Sequence, residues 1–195
     1  MKTKNILETL VLAAALMASQ AGAAPISLQG STITGSYNGS PEGMLGLDHR
    51  FAAEAGSNTT DIDPTNLGGV EFLTGDYLFG FDFSTTGQLT VMLNGLSVAP
   101  GDYRVVFDFG ASLTQKIGSF TLLDTSGIGA LPVLSVLDGH TIALDLSNVS
   151  WNSAFGAFSA QIGTAEVPEP GGIGLLLAGT AGLALARRRK AGAQR

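Results

Sequence analysis

The side chains able to do chemistry in this sequence are few and scattered. His49 follows an acid in "GLDHRF", and His140 follows turn residues in "LDGHTI". Asp48-His49 supplies two members of a Ser-His-Asp hydrolase set, but no serine stands in a G-x-S-x-G elbow that would raise its hydroxyl for attack. "LLDTSG", Leu122 to Gly127, approaches an Asp-Thr-Gly catalytic pattern, and Ser126 interrupts it. Carboxylates that could pair as in a glycosidase are plentiful, and ordinary surface acids explain them equally well. With no cysteine in the chain, thiol catalysis and thiolate metal sites are excluded. "TTDIDPTN" places Asp61, Asp63 and Asn66 in one loop, and hard oxygen ligands on a flexible loop suit Ca²⁺. The turn glycine and distal glutamate of an EF-hand loop are missing, so solvated turn acids compete with that reading. No catalytic residue is assigned, and no cofactor is expected apart from this candidate Ca²⁺ loop. "NGS", "NTT" and "NVS" at Asn38, Asn58 and Asn148 fit the glycosylation sequon, a pattern short enough to match by chance.

The elements that must position these residues are strands. In "DYLFGFDFS" the residues Tyr77, Phe79, Phe81 and Phe83 share one face, a period of two. "QLTVMLN" repeats it with Leu89, Val91 and Leu93; Thr85-Thr86-Gly87 reads as the hairpin loop between, and Asn94-Gly95 closes the second strand. "DYRVVFDFG" turns Tyr103, Val105, Phe107 and Phe109 inward. Asp138-Gly139 stands between two apolar runs as a hairpin turn, and Phe158, Ala160 and Ile162 form a closing strand. One short helix is expected at "RFAAEAG", Arg50 to Gly56. The aromatic stripes read as core, with Trp151 the best single candidate for a carbohydrate platform. The fold class is therefore all-β, an antiparallel β-sandwich or jelly roll over residues 24–166, a common size for one domain.

Both ends read as targeting segments. Lys2 and Lys4 precede an uncharged apolar core, Leu10 to Ala18, and Ala21-Gly22-Ala23 matches the A-x-A pattern read by signal peptidase. Cleavage after Ala24 would place Pro25 at the scissile bond, so residues 1–23 are the expected signal peptide and Ala24 the first mature residue. At the other end, Gly171 to Ala186 carries no charge, and as a helix it spans roughly 24 Å, short for about 30 Å of hydrocarbon. Arg187, Arg188, Arg189 and Lys190 follow at once, as a stop-transfer, positive-inside cluster does. Pro168 and Pro170 bound the helix on its outer side.

Pro168-Glu169-Pro170, the short apolar helix and the basic cluster, in that order, resemble the PEP-CTERM sorting signal of Gram-negative bacteria. The resemblance covers residues 167–195 alone. It implies recognition by an exosortase, a membrane-embedded cysteine-type transpeptidase, with removal of the tail, and a link to exopolysaccharide and biofilm. It also implies transient anchoring in the inner membrane before delivery to the cell surface, outer membrane or extracellular matrix.

Charge narrows the partners of the body. The chain has a formal charge of −6, yet from Ala24 to Pro170 only Arg50, Arg104 and Lys116 stand against fifteen Asp and Glu, a difference of −12. Such a surface repels phosphate backbones, which removes nucleic acid as a partner, and repels anionic polysaccharide unless divalent ions bridge the two. The expected role is structural or adhesive and not enzymatic. A carbohydrate-binding module is the alternative and a secreted hydrolase the third reading.

Overall fold

The computed structural model describes residues 23–62 and 69–165. Strands follow one another as β1 (Thr32–Tyr37), β2 (Met44–Gly46), β3 (Thr59–Asp61), β4 (Phe72–Thr74), β5 (Phe79–Phe83), β6 (Gln88–Leu93), β7 (Arg104–Asp108), β8 (Ile117–Asp124), β9 (Ile128–Ala130), β10 (Val133–Val136), β11 (Thr141–Asp145), β12 (Ser150–Trp151) and β13 (Ala157–Thr164). They pair antiparallel into a five-stranded sheet, β10-β11-β7-β1-β3, and a six-stranded sheet, β2-β4-β5-β6-β13-β8, with β12 and β9 as a separate ribbon. Among the described residues there is no α-helix, only three single 3₁₀ turns, and no helix long and apolar enough to cross a membrane. The chain is all-β.

Aromatic side chains join the two sheets in a sandwich-like manner. Phe107 on β7 meets Phe72, Phe81 and Phe83 of the other sheet at ring-centroid distances of 5.3, 5.1 and 4.9 Å. All four rings are at most 2 % exposed. The alternating stripes of β5, β6 and β7 thus face inward as their period requires, and Leu89, Val91 and Leu93 join the same core. The turn at Asp138-Gly139 pairs β10 with β11, Val136 opposite Ile142.

Two expectations are corrected. Arg50 to Gly56 is a run of turns, and the 3₁₀ turn before it covers Leu47–His49. Arg50 and Phe51 sit at φ +54° and +57°, left-handed values that stop a right-handed helix before a second turn. Tyr77, assigned to the inward stripe, lies outside β5 at φ +58° with half its surface exposed.

The compact unit spans Ala23–Ala165. Its entry and exit lie side by side: the Thr164 N–H donates to the Ala24 carbonyl at 2.8 Å and Ile26 N–H to the Ile162 carbonyl at 3.1 Å. Ile26 and Leu28 are fully buried, so the entering segment is part of the core.

Candidate functional site

The sequence candidates do not converge. His49 Nδ1 lies 2.7 Å from Glu54 Oε1 on the surface, while the Asp48 carboxylate accepts the Asp61 N–H at 2.8 Å instead of facing the histidine. His140 lies elsewhere, in a cleft of about 400 Å³ with Asp108, Lys116 and Asp138. Its N–H donates to Asp138 Oδ1 at 2.8 Å, and this bond holds the Asp138 carboxyl below its usual range. "LLDTSG" is a turn: Asp124 Oδ1 accepts the Ser126 N–H at 2.9 Å, which lowers the Asp124 carboxyl too. Asp61 accepts the Thr32 hydroxyl at 2.6 Å. Among the described residues no group of three or more His, Asp or Glu could hold a metal ion. Asp63 and Asn66 lie outside the described residues, as do Ala21, Pro168, Glu169, Pro170, Arg187, Arg188, Arg189 and Lys190. Ala23 is exposed where the chain enters the unit.

Trp151 is no exposed platform. Its ring is half-buried between Phe79 and Phe158, with centroids 6.0 and 5.9 Å away.

The residues that gather on the surface are others. The β4–β5 connection, the turn after β6 and the approach to β13 meet at one end of the six-stranded sheet, since Phe79 pairs with Leu93 and Ala157 with Met92. Tyr77, Leu96 and Phe155 stand there, 52, 78 and 65 % exposed. Tyr77 and Phe155 are fastened to the same two-residue turn: the Asn94 side-chain amide donates to the Tyr77 carbonyl at 2.9 Å, and the Phe155 N–H donates to the Gly95 carbonyl at 3.0 Å.

This end is held from beneath. The buried Thr74 hydroxyl accepts the N–H groups of Leu78 and Phe79 at 3.1 and 3.0 Å and donates to Asp76 Oδ1 at 2.6 Å. Asp76 Oδ2 accepts the Tyr37 hydroxyl at 3.0 Å, and burial followed by that bond pushes the Tyr37 phenol well above its ordinary range. With both neighbours of Tyr77 fixed, the tyrosine is forced into the left-handed region. Phe155 adopts the same region at φ +55°.

No protein-family model, curated protein or solved structure matches this chain.

Acidic residues predominate in the connections at this end, and the adjoining Arg104 is paired with Asp145 at 3.3 Å. The connecting segments 75–78, 94–103 and 152–156 contain Asp76 and Asp102 and no lysine or arginine. Sequence reasoning placed Tyr77 in the core and passed over Leu96 and Phe155. The available signal was their company: Tyr77 follows Gly75-Asp76, Leu96 follows Asn94-Gly95 and Phe155 precedes Gly156, so each large apolar residue adjoins turn formers.

Proposed function

We propose that this chain is an exported protein, delivered by exosortase processing of its C-terminal tail, whose β-sandwich has a structural or adhesive role at the cell surface or in an exopolysaccharide-rich matrix. The observation carrying this reading is the uninterrupted order of Pro168-Glu169-Pro170, an uncharged run and Arg187 to Lys190, opposite an N-terminal signal-peptide pattern. The fold is compatible in one respect. The paired Ala24 and Thr164 put both chain connections of the unit at one end, which leaves the remainder free for display. Signal peptidase and exosortase are then the processing partners, and the inner membrane a transient one.

Replacing Pro168-Glu169-Pro170 by three alanines in the producing organism tests the reading. Export is expected to continue while the variant stays in the inner membrane with its tail attached. Mass spectrometry of the wild-type protein is expected to give a mature chain beginning near Ala24 and lacking residues 187–195. An intact C-terminus on protein recovered from the surface or medium would overturn the proposal in favour of a plain membrane anchor.

A further inference from the structure

We infer that the end of the domain carrying Tyr77, Gly95, Leu96 and Phe155 is a binding surface for an uncharged polysaccharide, with the two aromatic rings as its stacking faces. Exposed apolar side chains scattered singly need no explanation, but these three cluster around one turn. Two of them are aromatic and hold left-handed backbone, which non-glycine residues adopt at a cost and which persists where the surroundings over-determine it. Glycine would suit the backbone at both positions better. At Gly95, whose carbonyl accepts the Phe155 N–H, an added Cβ would meet nothing closer than 3.9 Å, so the backbone there is open.

The occupant follows from charge, area and position. Segments holding two carboxylates and no basic side chain disfavour nucleic acid, anionic polymers and anionic lipid. Three side chains fall well short of the about 800 Å² per partner of a stable protein interface. The surface also faces away from the chain's entry and exit, since β13 runs its eight residues, roughly 26 Å, from beside Phe155 to Thr164. A flat aromatic ring with open backbone beside it suits the C–H face and hydroxyl edge of a neutral sugar. Burying such a face against a rigid ring also gains apolar contact at little entropic cost.

This inference rests on the domain being displayed outside the cell, but its test is separate from that of the tail, which is read by mass. The full-length chain, purified in a mild sugar-free detergent, is run through non-denaturing gels containing hydroxyethyl cellulose or laminarin, with alginate gels and phosphatidylcholine–phosphatidylglycerol vesicles as controls. The wild type is expected to be retarded by at least one of the neutral polymers and by neither control. The double variant Tyr77→Gly, Phe155→Gly is expected to lose at least tenfold in apparent affinity with a melting temperature equal to or above wild type. Phe155→Tyr is expected to keep binding. Equal retardation of wild type and double variant, or none by either neutral polymer, would overturn the assignment. So would a preference for vesicles or alginate, or self-association that the double variant abolishes.

Discussion

At the residue scale, five of the fifteen acids from Ala24 to Pro170 are occupied with turn chemistry. Asp76, Asp108, Asp124, Asp138 and Asp145 each accept, through Oδ1, the backbone N–H two residues ahead, at 2.8 to 3.0 Å. A carboxylate in this position replaces a missing backbone acceptor and fixes the turn. For Asp138 the cause of its lowered carboxyl is first the His140 N–H and then the Thr141 hydroxyl. Folding therefore favours the charged form. The contribution is complete above the ordinary carboxylate range and is lost as pH falls through and below it. Asp124 and Asp145 shift the same way, whereas burial raises Asp82, whose protonation on acidification works in the opposite sense. Asp138→Asn keeps an acceptor for the turn and removes one titration. Its melting temperature is expected to change little at pH 7 and to fall less than that of wild type between about pH 5 and pH 3. An unchanged slope in differential scanning calorimetry would show that the turn bond does not favour the ionised acid. The net charge was legible in the sequence; its division into five capped turns was not, because Asp-x-x pairing depends on where strands end. Asn38-Gly39 makes the same point. Read as a sequon, it is a two-residue turn with both residues at positive φ, in which Tyr37 and Ser40 exchange backbone hydrogen bonds at 3.0 Å.

At the element scale, strands with strict alternation were the readable ones. The stripes of β5, β6 and β7 pack as their period dictates, and they converge on Phe107, which touches three rings of the opposing sheet. Phe107→Ala removes that joint and leaves a cavity between the sheets, so a loss of about 3–5 kcal/mol is expected from chemical denaturation. A loss below about 1 kcal/mol would mean that the sheets are held elsewhere. Strand β8 escaped the sequence reading for a physical reason. Its pairing with β13 shifts register between Ser159 and Ala160 and again between Gly163 and Thr164, so its inward residues, Ile117 and Phe120, are three apart instead of two or four. Tyr77 was misread for the opposite reason: the alternation runs one residue pair beyond the strand, and Thr74 and Asp76 decide where the strand begins. The three apolar residues that gather on the surface were thus invisible as a group. Their nearness comes from the β5–β6–β13 pairing and not from their spacing in the chain.

At the scale of the whole molecule, the unit is closed by its own first residues. Pro25 bridges to Gly163, the Leu28 N–H reaches the Thr85 carbonyl at 2.9 Å, and Ile26 and Leu28 are completely buried. A chain beginning at Ala24 keeps all of this, and a chain ending at Glu166 keeps the whole of β13. Residues 24–166 are therefore expected to fold without either end segment, giving a β circular-dichroism spectrum and one cooperative melt. The same transition should be reported by the fluorescence of Trp151, the sole tryptophan, which packs on Phe79 and Phe158 of the six-stranded sheet. Burial of Ile26 and Leu28 gives the control. Each fully buried aliphatic side chain contributes about 1.5–3 kcal/mol, so a fragment beginning at Ser31 is expected to lose about 3–6 kcal/mol and to melt well below the longer one. Equal melting of the two fragments would show that the entering segment only lies against the sheet. A non-cooperative melt of residues 24–166 would place part of the folding information in the segments outside them.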